Sequence, residues 1–316
     1  MDKIRSWLRT TPYKDYAIEI ASEDASFRKY YRLSHGDKTV IFMDASLEID
    51  SLKPFLDVTE RLLHVKLNAP DVLAQNLEAG YLIIKDFGHQ NLLDILNENN
   101  FEHYYNKAID LIVTMQKADV SDLPVYDRAF LHAEMDLMQE YYISKRLHVS
   151  LNDEQKARIE KTLNSICDIV LSQPQECFVH RDFHSRNIMI TPENELGIID
   201  YQDAMSGAIT YDLVSLLKDC YIAFDREKLE TLVLGFRDKL LLHVKDETFL
   251  KWYDFMGLQR HIKVLGIFSR LYFRDGKDGY LKDIPLTLKY VLETGSRYEE
   301  TKELVALLTH ITKEGS

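Results

Sequence analysis

Two periodicities divide the chain. Up to about residue 85, apolar positions come in short alternating runs, and Tyr16–Ile20, Tyr30–Leu33, Thr39–Asp44, Val72–Ala74 and Tyr81–Ile84 read as strands. Residues 2–9 and Leu52–Lys66 read as helices, the second carrying Phe55, Leu56, Leu62, Leu63 and Val65 between charges and ending before Asn68-Ala69-Pro70. Beyond residue 101 the apolar spacing becomes three and four. Phe101–Gln116, Leu131–Arg146, Asp153–Ser172, Thr210–Leu217 and Trp252–Arg274 are then helices. The pattern predicts an α+β protein in two lobes, a small antiparallel sheet lobe over 1–85 and a larger, mainly helical lobe over 86–316.

One stretch interrupts the helical half. Asn187–Ile190 and Leu196–Asp200 are β-type segments, and Thr191-Pro192-Glu193-Asn194-Glu195 between them is turn chemistry. A hairpin of that length sets Asn187, at the start of one strand, near Asp200, at the end of the other. An apolar run ending in His180-Arg181-Asp182 precedes it, with Asn187 five residues after Asp182. Moving a phosphoryl group calls for a carboxylate beside the acceptor hydroxyl and for hard oxygen ligands that hold Mg²⁺ on the nucleotide phosphates. Asp182 supplies the first, as the catalytic base, and Asn187 and Asp200 the second, as metal ligands. Each residue alone is as readily a turn or capping group. The set at this spacing carries the signal.

Composition narrows the reading. The formal charge of −12 and the absence of a long basic run exclude a nucleic-acid surface. An anionic ligand therefore needs a local cationic pocket, and Arg260, Arg270 and Arg274 on the predicted last long helix are candidates, the latter two sharing a face. No stretch approaches the roughly 18 apolar residues of a membrane span, and the N-terminus lacks the apolar core of a signal peptide. Cys167, Cys177 and Cys220 form no C-x-x-C pair and read as buried small hydrophobes of a reducing compartment. The expected setting is the cytoplasm, without a membrane or nucleic-acid partner.

The pattern His180-Arg181-Asp182 followed by Asn187 resembles the catalytic loop of the protein-kinase-like superfamily. His184 and Ile199-Asp200-Tyr201-Gln202-Asp203 look more like its aminoglycoside phosphotransferase branch. Asp200–Tyr221 and Gln259–Arg270 are similar to the bacterial anomeric kinases of N-acetylmuramate and N-acetylglucosamine, a likeness that covers nearly the whole chain.

The resemblance implies a two-lobed kinase-like fold and ATP-dependent, Mg²⁺-assisted phosphorylation of a small sugar by a monomer or weak dimer. It implies that Ser26, Phe27 and Arg28, in the loop Ala21–Lys29, cover the nucleotide phosphates, and that Lys85 and Asp86 lie at the hinge beside the base. That loop has no glycine, and Met43 stands near the place of the usual strand lysine. Arg28, with Lys29 or Arg32 behind it, is the expected replacement for that charge, on an exposed side chain. His184, Asp203, Arg260 and Arg270 would contact the substrate, while His180 and Asp212 would support the catalytic loop. Aminoglycoside, choline or homoserine kinases, and a catalytically weak nucleotide-binding regulator, are the alternatives.

Overall fold

The computed structural model describes residues 1–22 and 28–314. Five strands form one antiparallel sheet in the order β1-β2-β3-β5-β4: β1 Ala17–Ser22, β2 Lys29–His35, β3 Lys38–Asp44, β4 Val72–Asn76 and β5 Tyr81–Lys85. The strands β2 and β3 pair continuously from Lys29↔Asp44 to His35↔Lys38, and β3 pairs β5 from Val40↔Lys85 to Asp44↔Tyr81. Alternation along β2 and β3 puts Leu33, Val40 and Phe42 on one face, where they pack with Tyr81, Ile83, and Ile4 and Leu8 of helix α1 (Asp2–Leu8). Helix α2 (Leu52–His64) buries Leu52, Phe55, Val58 and Leu62 at helical spacing.

The remaining helices are α3 Phe101–Met115, α4 Arg128–Leu137, α5 Asp153–Leu171, α6 Tyr211–Leu217, α7 Arg226–Lys239, α8 Asp246–Asp275, α9 Ile284–Gly295 and α10 Lys302–Glu314. The helix expected over 131–146 begins at Arg128 and passes at Met138 into a π-helical segment that ends at Arg146. The backbone of α8 at Gly266 lies against Leu137 and Met138, where a Cβ would meet backbone atoms at 2.4 Å. Any side chain at that position would push the two segments apart.

The chain divides into two compact units, Met1–Asp94 with Arg186–Asp203, and Ile95–Ser185 with Ala204–Ser316. A single cut after residue 85 differs from this in two respects. The first unit continues to Asp94, and it recovers the hairpin of β7 (Ile188–Ile190) and β8 (Leu196–Ile198). The Ile198 amide donates to the Asn68 carbonyl at 3.0 Å, the Ile190 amide to the Gln90 carbonyl at 2.8 Å, and Tyr201 stacks on Phe55 while its hydroxyl meets Thr59 at 2.9 Å. Spatial pairing of this kind has no local signature in a linear pattern.

Candidate active site

The candidate residues are divided between the two units. In the helical unit, strand β6 (Cys177–Val179), paired with β9 (Met205–Gly207), runs directly into His180. The turn that follows is held through its backbone. The buried Asp212 carboxylate accepts from the His180 amide at 2.8 Å and the Arg181 amide at 3.1 Å. The Arg260 guanidinium donates to the Arg181 carbonyl at 2.7 Å, and the Asp182 amide donates to Nδ1 of His180 at 3.3 Å. Arg181 takes φ +76°, a left-handed conformation that costs free energy in any residue with a Cβ and persists where its surroundings over-determine it.

This turn presents the Asp182 side chain, 45% exposed, with Arg260 3.8 Å away. Desolvation opposes its charge, yet Arg260, Lys263, His184 and Arg181 together lower its pKa to about 2. Asp182 is therefore ionised throughout the neutral range and can accept a hydrogen bond from a hydroxyl. Burial acts in the other direction on Asp212, raising its pKa to about 7 against the two amide donors.

Of the four substrate candidates, three lie in this unit. The His184 ring packs edge-on against Tyr221 at 5.2 Å, and its amide donates to the Asp182 carbonyl at 3.0 Å. Arg260 is buried and spends one nitrogen on the turn itself. Arg270 is ten residues further along α8, about 15 Å at helical rise, where its charge acts on Glu140 and Asp275. Arg274, four residues on, pairs with its neighbour Asp275 at 2.8 Å.

In the sheet unit the hairpin brings Asn187 and Asp200 together. Asn187 donates to an Asp200 oxygen at 3.3 Å, and the Ile199 amide donates to the Asn187 carbonyl at 3.1 Å. Asp200 has φ +65°. Gln202 donates to Asp200 at 3.0 Å and to Asp203 at 3.2 Å, so the fourth substrate candidate stands beside the metal candidates. An exposed carboxylate and an amide at this separation are a hard oxygen donor pair of the kind Mg²⁺ takes.

The nucleotide candidates divide further. Ser26 and Phe27 lie outside the described residues. Arg28 is not an exposed flap side chain: it is 7% exposed, donates to the Ser51 hydroxyl at 3.2 Å and the Ser51 carbonyl at 3.3 Å, and lies 5.9 Å from the Phe55 ring. Packing on α2 draws it inward. Arg32 is committed too, its fork meeting both oxygens of Asp86 at 2.6 and 3.0 Å and the Gly88 carbonyl at 2.7 Å. Burial opposes the charge of Asp86, but the hydrogen bonds from Arg32 and the Gly88 amide lower its pKa. Lys85 lies 5.5 Å from the Phe87 ring, Lys29 is exposed opposite Asp44, and Met43 is wholly buried in β3.

Residues 17–252 match the phosphotransferase enzyme family. The chain belongs to that family. This phosphotransferase is 37% identical over 297 residues to an N-acetylmuramate/N-acetylglucosamine kinase of Pseudomonas aeruginosa, covering 92% of this chain and 87% of the relative. It is 36% identical to the protein of that name from Neisseria meningitidis, covering 98% and 95%. Among solved structures, the ADP-bound aminoglycoside phosphotransferase APH(2'')-Ib aligns with a TM-score of 0.64 at 17% identity over 93% of this chain and 98% of the other. Choline kinase LicA from Streptococcus pneumoniae aligns at 0.64 and 13% identity over 92% and 98%. These neighbours share the kinase-like fold.

Sequence reasoning passed over two carboxylates of the phosphotransferase. Asp219 accepts from the Ser185 amide at 2.9 Å and from its hydroxyl, closing the other end of the loop. Glu134 pairs with Arg181 at 2.9 Å and with Lys263 at 3.0 Å from forty-seven and one hundred and twenty-nine positions away, and nothing local announces it.

Proposed function

We propose that this phosphotransferase moves the terminal phosphoryl group of ATP to the anomeric hydroxyl of N-acetylmuramate or N-acetylglucosamine. The observation that carries the reading is the name shared by relatives at 36–37% identity over more than nine-tenths of the chain. The ionised Asp182 and the paired Asn187 and Asp200 supply groups suited to the chemistry. In this reading Asp182 accepts a hydrogen bond from the acceptor hydroxyl, orients its oxygen toward phosphorus, and takes the proton as the new bond forms. Asn187 and Asp200 would hold Mg²⁺, which neutralises phosphate charge when bound.

The contacts of the remaining candidates divide their proposed roles. Asp86 shapes the segment after β5 through Arg32, and Arg260 serves the turn before Asp182, so His184 and Asp203 are left as the side chains proposed to meet the sugar. Arg28 and Lys85 are kept as the basic groups of the nucleotide side. ATP supply places the reaction in the cytoplasm, and the proposed working form is a monomer or weak dimer.

The test is an acceptor panel: N-acetylmuramate, N-acetylglucosamine, choline, homoserine and an aminoglycoside, each with ATP and Mg²⁺. Nucleotide consumption and ³¹P NMR of the product are read. Turnover with the two amino sugars and a phosphorus signal coupled to the anomeric proton are expected. Preferential turnover of choline, homoserine or the aminoglycoside, or a phosphate at another hydroxyl, overturns the reading.

A further inference from the structure

The Arg181 side chain packs against groups from elements far away in sequence. Glu134 of α4 pairs with it at 2.9 Å, and the same Glu134 oxygen pairs with Lys263 of α8 at 3.0 Å. The second oxygen of Glu134 accepts from Tyr126, while Lys263 donates to the Tyr211 hydroxyl at 3.0 Å. The guanidinium lies 5.4 Å from the Phe130 ring and 5.9 Å from that of Tyr126. Little of this reaches solvent: side-chain exposures are 19% for Arg181, 12% for Glu134 and 6% for Lys263.

Such an arrangement is costly unless every charge is matched, and here one carboxylate serves two cations between aromatic rings. Desolvation disfavours the Glu134 carboxylate, yet Lys263 and Arg181 lower its pKa, so it stays charged. What the cluster holds is a residue in an unfavourable backbone state. At φ +76° Arg181 needs external support, and the next residue is Asp182. Asp212 and Arg260 hold the backbone of the turn, while Glu134 and the Phe130 and Tyr126 rings hold the long Arg181 side chain. A guanidinium released from Glu134 would remain beside a turn whose strain it no longer helps to offset.

We propose that Glu134, held charged by Lys263, is a positioning residue for Asp182, acting through the side chain of Arg181. The inference rests on the kinase reading above. It adds that the carboxylate which meets the acceptor is aimed from behind by an ion cluster that itself touches neither sugar nor nucleotide.

The test uses Glu134→Gln, which keeps shape and hydrogen bonding, and Lys263→Met, each in the full-length wild type and in an Arg181→Gly background. Glycine adopts a positive φ without a Cβ penalty and carries no side chain to restrain. Glu134→Gln is expected to lower kcat about 10- to 100-fold, the scale of a misaimed catalytic group, with the KM for ATP within about twofold. Hydrogen exchange of the His180 and Arg181 amides should quicken, a readout that does not depend on turnover. In the Arg181→Gly background the same substitution should change kcat by less than about twofold, because the route through the side chain is gone. Lys263→Met should lower kcat in both backgrounds, because the Lys263 charge also acts directly on Asp182. For Glu134→Gln, a lowered Tm with unchanged kcat and exchange, or equal losses in both backgrounds, overturns the proposal. Should the wild type transfer phosphate to no acceptor, the kinase reading fails, while the exchange data still decide whether Glu134 orders the turn.

Discussion

Asn187 and Asp200, thirteen positions apart, meet side chain to side chain at 3.3 Å. The hairpin that closes this distance is registered by Ile188↔Ile198 and Ile190↔Leu196, so neither residue can shift without breaking a strand pair. Substituting them should separate charge from position. A carboxylate contributes more to Mg²⁺ binding than a neutral amide, and Asp200→Ala is expected to abolish turnover while Asn187→Ala leaves a residue that rises with added Mg²⁺. Steady-state rates across a Mg²⁺ titration check this, and normal turnover by Asp200→Ala, or in EDTA, would contradict it.

Asp182→Asn should leave the fold unchanged and remove most turnover, about 10²- to 10⁴-fold, since the amide can hydrogen-bond but cannot take a proton. Circular dichroism establishes folding and initial rates give the loss. Because Arg260, Lys263, His184 and Arg181 keep the carboxylate ionised down to about pH 2, any acid limb in the rate profile between pH 5 and 7 should persist in the residual activity of Asp182→Asn. It would then belong to another group.

Arg28→Ala should destabilise the protein by about 1.5–3 kcal/mol, the scale of hydrogen bonds from a charged donor, because two nitrogens on Ser51 and the packing at Phe55 are lost. Lys29→Ala, exposed at the start of β2, should change Tm little. Thermal unfolding of both variants tests the contrast, and equal Tm values would show that the inward placement of Arg28 contributes nothing to stability.

Asp212 introduces a pH dependence with a definite sign. Its pKa rises from an ordinary value near 4 to about 7 in the folded protein because burial disfavours the charge. The folded state therefore binds the proton more tightly than the unfolded chain, and the stability this contributes is complete below about pH 4 and gone once pH passes 7. Relative to Asp212→Asn, which does not titrate, the wild type should lose Tm progressively between pH 4.5 and 7.5 and then run parallel. A constant difference across that range would show that the two amide donors hold Asp212 ionised.

The hairpin, the helical half and the meeting of Asn187 with Asp200 were legible because each rests on near neighbours: alternation over five residues, periodicity over fifteen, a turn of five residues between two short strands. The fates of the arginines were not. Arg28, Arg32 and Arg260 are alike as letters, and what distinguishes them is a partner twenty-three, fifty-four or seventy-nine positions away. The π-helical segment from Met138 to Arg146 likewise answers to the close approach of Gly266 in α8, which no local propensity encodes. Cys177 is only half-buried where a core position was expected, because β6 is three residues long and Cys177 stands at its open end.

The membership of Arg186–Asp203 in the first unit bears on how the protein is made. During synthesis the five-stranded sheet is complete by residue 85, but the segment that carries Asn187 and Asp200 leaves the ribosome a hundred residues later, after α3, α4 and α5. At 5–20 residues per second that is a delay of roughly 5–20 s, during which Asn68, Gln90, Phe55 and Thr59 await the partners they bond in the finished unit. A nascent chain stopped short of residue 203 thus carries an N-terminal unit with a raw face, and it is at this stage that a chaperone would find the most to hold.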